Sequence, residues 1–192
     1  MFVSEYNQLA FQFINSFNCK KIPNVTIIVG SSGLGKTLIL NELHQRIQNT
    51  TYNSIFIDSK KFASKYAYAA YKQELNSFRK LFRNTNILLL DNINSLQGKL
   101  KTINELYFTL DAILNNGGKT VITYRGQDLD LDFLGEKFAS KIKSGLIIKL
   151  KRPSEKEIKN FIRYRFPDLD DLSIFDTCYE GNLKKIVDSF RP

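Results

Sequence analysis

Cysteine and histidine are scarce in this chain and long apolar runs are missing, and each shortage narrows what the protein does. The two cysteines, Cys19 and Cys178, lie far apart and match no metal-ligand or redox spacing. They read as ordinary thiols in a reducing compartment, so a cytoplasmic protein is expected. His44 is the single histidine; it falls in a helical pattern and reads as a helix-surface residue without a role. No apolar run is long enough to span a bilayer and no signal peptide is visible, so no membrane partner is expected. Internal repeats, low-complexity tracts and long linkers are also missing. What remains, in 192 residues, is one main domain with a substantial core and room for a small appendage.

Basic charge is what the chain has in surplus. Lysine and arginine number 28 against 19 acidic residues, a net charge of +9. That balance points to an acidic partner, nucleic acid first, or else to a solvated lysine-rich surface.

Gly30-Ser31-Ser32-Gly33-Leu34-Gly35-Lys36-Thr37 fits G-x-x-x-x-G-K-[ST] at every fixed position. The apolar run Val25 to Val29 precedes it and a helical segment, Leu38 to Ile47, follows. In that context the glycines let successive N–H groups point at phosphate oxygens, and the helix start adds its positive end. With ATP or ADP as the nucleotide, Lys36 would reach the β-phosphate and, in ATP, the γ-phosphate, and Thr37 would hold Mg²⁺. The bland alternative is a glycine-rich turn with an accidental lysine.

Five short apolar runs read as strands of a parallel sheet covered on both faces: Val25–Val29, Ser54–Asp58, Ile87–Asp91, Thr120–Thr123 and Leu146–Leu150. Helical segments alternate with them, which makes the fold α/β with right-handed crossovers. After Pro153 the strands stop. Ser154 followed by Glu155 and Glu157 reads as a helix N-cap with an acidic first turn. From there to Phe190 the pattern is helical, broken near Pro167 and Gly181. The expected organisation is a nucleotide-binding core over 1–152 and a small helical lid over 153–192.

The third of these strands, Ile87-Leu88-Leu89-Leu90-Asp91, ends in an acid followed by Asn92. Asp91 is placed to bind the Mg²⁺ shell beside the P-loop. A second acid often follows in such ATPases to orient the attacking water. Here Asn92 stands there, and an amide does not accept a proton at neutral pH, so hydrolysis is expected to be weak.

Around these motifs the chain resembles the ATPase domain of the DnaA replication-initiator family, a branch of the AAA+ P-loop NTPases. Phe2-Val3 with Asn7 to Ala10 is similar to the family's opening segment. Lys61-Phe62-Ala63 leading to Phe78–Asn84 is similar to its initiator-specific helical insertion. Leu90 to Lys99 resembles its Walker B continuation, and Ala139 to Leu146 the segment that carries its arginine finger. The resemblance implies a five-stranded parallel sheet flanked by helices. It adds Val3 and Lys184 to the nucleotide-holding residues, with Lys184 at the lid arginine's place. It puts Lys141 at the finger's place beside Lys137, and Thr123 and Arg125 at the end of the fourth strand, where a phosphate sensor sits. Lysine is a point charge where arginine presents a planar fork, so Lys141 implies weaker transition-state stabilisation. By the same resemblance Lys99, Lys101 and Thr102 are single-stranded DNA contacts on one loop. Arg79, Lys80 and Arg83 add charge beside them, and Tyr66, Tyr68 and Tyr71 are candidates for stacking on bases or for packing.

The chain ends at Pro192 without the family's duplex-binding domain. Together with the Asp-Asn pair, this resembles the stand-alone Hda-like regulators that promote loss of ATP from DnaA. Gln8 to Phe13 superficially resembles a sliding-clamp-binding peptide, although the helical spacing of Leu9 and Phe13 reads first as packing on the core. The expected partners are therefore the DnaA initiator, then single-stranded DNA, other copies through AAA+ faces, and more weakly the clamp. Rival readings are a nucleotide-gated binding module with little hydrolysis, and an initiator- or helicase-loader-like binder of single strands.

Overall fold

The computed structural model describes residues 2–18, 21–167 and 182–188. Cys19, Cys178, Gly181 and the expected helical stretch 168–181 lie outside the described residues. In order, the elements are α1 (Gln8–Asn15), β1 (Val25–Gly30), α2 (Lys36–Gln48), β2 (Ser54–Asp58), α3 (Ser59–Tyr71), α4 (Leu75–Arg83), β3 (Ile87–Asp91), α5 (Leu100–Asn115), β4 (Lys119–Arg125), α6 (Glu136–Lys143), β5 (Leu146–Lys149), α7 (Glu155–Arg165) and α8 (Leu183–Asp188). The five strands form one sheet in the order β2-β3-β4-β1-β5, with every pairing parallel.

Alternate residues of a strand face opposite sides of the sheet, and here both sides are apolar. Ile27 and Val29 of β1, Leu88 and Leu90 of β3 and Ile122 of β4 point into one core with Phe62, Phe78, Phe82, Leu106 and Phe138. Ile28, Leu89 and Val121 point the other way, into a core with Ile14, Ile39, Leu40 and Leu43. β1 and β3 are buried throughout and β4 between its ends, whereas edge strand β5 leaves Leu146 and Ile147 partly exposed. Burying a side chain of this size contributes about 1.5–3 kcal/mol, so the central strands carry most of the sheet's stability.

Caps set several boundaries. Asp58 accepts the amides of Lys60 and Lys61 and starts α3. Ser154 and Glu157 make a reciprocal capping box at α7. In α1, Ala10, Phe13 and Ile14 are buried. Leu9, expected to pack with Phe13, instead projects outward at 61% exposure. The buried stripe of α1 runs through Ala10, Phe13 and Ile14, and Leu9 lies at its margin, one turn before Phe13.

The C-terminal helices build a third, smaller apolar cluster. Ile162, Leu183 and Ile186 are buried with Tyr6, and Phe2 and Phe161 pack around them. The Phe2 ring lies 5.6 Å from those of Phe161 and Tyr164. Glu157 ties this seam together: its carboxylate accepts from the Ser4 hydroxyl, the Tyr6 amide at 3.0 Å and the Ser154 amide at 2.8 Å. Burial alone would raise the Glu157 carboxyl; the Ser4, Ser154 and Tyr6 hydrogen bonds outweigh it and hold it down at about 2.

Candidate nucleotide site

β1 delivers the P-loop at the carboxyl edge of the sheet, the edge where open α/β sheets bind ligands. Gly33 and Gly35 take φ of +82° and +84°, a region open to glycine at little cost. Gly35 is also the residue before α2, and α2 has no side-chain cap. The free N–H groups of its first turn are therefore available to an anion. Lys36 is 9% exposed, and its ammonium donates to the carbonyls of Gly30 at 2.6 Å and Ser31 at 2.7 Å. Burial pushes its amine down to about 8; the Asp91 carboxylate opposes this, and the charge of Arg125 adds to it. A phosphate would offer this cation more than two neutral carbonyls do.

Asp91 is 8% exposed at the end of β3. Strand β4 lies between β3 and β1, so the acid reaches the P-loop across one strand. One carboxylate oxygen accepts from the Thr37 hydroxyl at 2.7 Å; the other accepts from the Thr123 hydroxyl. Thr123 in turn accepts the Asn92 amide at 2.8 Å. The residues thus link in a row: Thr37, Asp91, Thr123, Asn92. Asn92 adopts a left-handed backbone, φ 56°, which asparagine tolerates better than most residues. Its buried side-chain oxygen has no hydrogen-bond partner among the described residues.

Two further residues shape this cleft without any motif to announce them. The Ser59 hydroxyl donates to the Asp91 carbonyl at 2.9 Å and is fully buried. Asn94 clamps the backbone of Arg125 from both sides, accepting its amide at 2.6 Å and donating to its carbonyl at 3.2 Å. Only tertiary proximity reveals them: β2 lies beside β3, which brings Ser59 to Asp91, and β3 beside β4, which brings Asn94 to Arg125.

Other candidates lie elsewhere. Lys141, on α6, is ion-paired with Asp111 of α5, and its ammonium sits 5.1 Å from the Tyr107 ring centre. Lys137 and Lys184 are exposed, and Val3 is 37% exposed in the segment before α1. Lys99 and Lys101 are exposed at the start of α5. Thr102, expected beside them on an open loop, is instead 8% exposed on the inner side of that helix. The helix begins at Leu100, so successive residues there rotate by about 100° and do not share a surface. Arg79 and Arg83, expected as free basic charge, pair with Glu105 at 2.8 and 2.7 Å. Lys80 remains exposed. Tyr66 packs toward Phe78, whereas Tyr68 and Tyr71 are open, with Lys72 over both rings. His44, expected as a plain surface residue, is half-buried; its Nδ1 is 2.8 Å from the Ser54 hydroxyl and its ring stacks near Phe56. It fastens α2 to the sheet edge.

The loop after β1, the acid on β3 and the parallel order 2-3-4-1-5 define a P-loop NTPase fold of the AAA+ class. Within that class the chain belongs to the family of the bacterial DnaA ATPase domain, whose model matches residues 2–149. A chromosomal replication initiator protein DnaA of Francisella tularensis subsp. novicida is 30% identical over 140 residues, 72% of this chain. The chain spans 28% of the length of that initiator. Domain III of the Thermotoga maritima replication initiation protein DnaA is 26% identical with a TM-score of 0.76, over 85% of this chain and 70% of that one. A replication initiator DnaA bound to AMPPCP and single-stranded DNA superposes with a TM-score of 0.87 at 21% identity, over 98% of this chain and 61% of that one. No helix among the described residues is long and apolar enough to cross a membrane.

Proposed function

We propose that the chain is a DnaA-related nucleotide-binding module that regulates replication initiation. In this reading it docks on the ATPase domain of the initiator and promotes loss of its bound ATP, as Hda-like regulators do. The observation that supports its nucleotide-binding part is the P-loop, with no side-chain cap on α2, Lys36 on the loop carbonyls and Thr37 seated on Asp91; the regulatory part rests on the likeness to the DnaA ATPase domain. The residues fit ATP or ADP with Mg²⁺. Gly30 to Gly35 would offer backbone donors, Lys36 would leave its carbonyls for phosphate, and Thr37 and Asp91 are the hard-oxygen pair for the metal. When bound, nucleotide and metal would supply the polyphosphate and the cationic charge that offsets it. Val3 and Lys184 join from the opening segment and from α8. The separate cluster around Ile162, Leu183 and Ile186 supports reading 153–192 as a lid on a 1–152 core.

Two features favour weak hydrolysis by the isolated chain. Asn92 follows Asp91 where an acid would orient water, and Lys141 is engaged with Asp111 instead of facing the loop of its own chain. Lys141 would act, if at all, on a nucleotide held by a neighbouring module, either an initiator or a second copy. The test is calorimetry with ATP and ADP, followed by hydrolysis of ATP-loaded DnaA with and without this protein. Nucleotide binding without any effect on DnaA would leave a nucleotide-gated binding module as the function.

Lys99 and Lys101, exposed at one helix start, with Lys80, Tyr68 and Tyr71 also open, support a second reading in which single-stranded DNA is a partner. Oligo-dT should then bind at low salt and be released near physiological salt. Clamp binding has little support, because Phe13 of the Gln8–Phe13 segment is buried within α1.

A further inference from the structure

The P-loop touches the C-terminal helices at a contact that no motif explains. A methyl group on Gly33 would overlap the carboxamide oxygen and carbon of Asn182 and lie 3.1 Å from its Nδ2. Asn182 therefore rests directly on the loop's backbone, at a position where only glycine leaves room. The same side chain holds α8: its Oδ1 accepts the Lys185 amide at 3.2 Å, and the Asn182 carbonyl accepts the Ile186 amide at 3.4 Å. The rest of α8 is anchored away from the loop, through Leu183 and Ile186 against Ile162 and Tyr6. Lys184 follows two residues after Asn182.

We propose that Asn182 couples the P-loop to the lid. The phosphate-holding form of the loop seats its carboxamide, and the seated carboxamide fixes α8, and with it Lys184, at the loop. The inference rests on the nucleotide-binding reading above and names the residue through which the lid senses occupancy. Its physical basis is linkage. A loop whose N–H groups wrap an anion is held in one conformation, and Asn182 touches that loop at one backbone position. Whatever the nucleotide adds to lid docking, the lid must return to nucleotide affinity by the same factor. Asn182 is thus a positioning residue acting through the loop and through α8.

Hydrogen exchange of the full chain with and without ADP tests this. In the wild type, ADP should raise protection of the α8 amides by about tenfold, a coupling of ordinary size. Asn182→Ser keeps an oxygen that caps α8 but is too short to rest on Gly33 as well. This variant should still bind ADP, lose the ADP-dependent protection of α8 and release ADP about tenfold faster. Asn182→Asp keeps the cap and puts a carboxylate against the phosphate-holding loop. It should weaken ADP on the order of tenfold through repulsion, with α8 protection unchanged in the absence of nucleotide. Equal ADP-dependent protection in wild type and Asn182→Ser would overturn the coupling, as would an Asn182→Asp variant that binds ADP like wild type. Failure of the wild type itself to bind ADP would instead remove the nucleotide reading, and Lys36→Ala would then be indistinguishable from it.

Discussion

Two charged clusters in this molecule are built on opposite plans. At the insertion helices, Glu105 is 4% exposed and is gripped by two guanidinium groups, Arg79 through two nitrogens and Arg83 through one. Burial alone would raise its carboxyl; the Arg79 and Arg83 bonds outweigh it and hold the group below the usual carboxylate range. At the P-loop, among the described residues, Lys36 donates to two carbonyl oxygens, Asp91 holds two hydroxyl groups, and the Asn92 side-chain oxygen has no partner. In the first cluster both carboxylate oxygens are paired with guanidinium nitrogens, only Arg83 Nε being buried without a partner among the described residues, and the cluster serves the fold. The second is left short of partners, which is the condition for taking up a charged ligand.

Lys36→Ala should abolish detectable ATP and ADP binding in calorimetry while the cooperative melt survives, because the loop loses its cation and its charge-assisted bonds. Equal affinity in mutant and wild type would place the site elsewhere. Next in size is turnover: Asn92→Asp with Lys141→Arg should raise ATP hydrolysis on the order of a hundredfold in steady-state assays where modules can meet. A wild-type turnover of several per second would contradict the weak-hydrolysis reading.

The ion-paired cluster answers differently. Glu105→Gln leaves two arginines without their carboxylate. With those side chains 38% and 29% exposed, the loss in urea unfolding should be about 2 kcal/mol, below the cost of a fully buried broken pair. Nucleotide affinity should not change, since Glu105 belongs to α5 and α4 packing and not to the loop. The smallest effect is a pH dependence. The Lys36 amine is lowered to about 8 from 10.5, so between those values the unfolded chain binds more protons than the folded one. Nucleotide-free stability should therefore rise with pH above 8, and Lys36→Met should flatten that rise. The phenol of Tyr6, pushed up to about 12 by burial and by Glu157, acts in the opposite direction above pH 10. Urea melts between pH 8 and 10 isolate the lysine.

The sheet was legible because each strand is a short apolar run, and in a doubly covered parallel sheet that pattern needs no alternation to be recognised. The P-loop and Asp91 were legible for a related reason: backbone geometry at a strand end demands particular residues at particular spacings. Side-chain partnerships across elements were not. Nothing in the run Phe78–Asn84 says that Glu105 waits a helix away, and nothing in Lys99-Leu100-Lys101-Thr102 says that a helix begins at Leu100 and turns Thr102 inward. Lys141 shows the same limit, since its engagement with Asp111 and Tyr107 depends on how α5 and α6 lie together. Thr123 was visible as a strand end, but its place between Asp91 and Asn92 comes from the pairing of β3 with β4.

Glu157 splices distant parts of the chain. Its carboxylate joins Ser4 and Tyr6 to the start of α7, across 153 positions of sequence. The mechanical order of the molecule therefore differs from its covalent order. A pull on the first residues would pass to α7 through these bonds as well as along the chain, and a swing of α7 away from that segment would have to break them. With the carboxyl held at about 2, mild acid does not cut that splice.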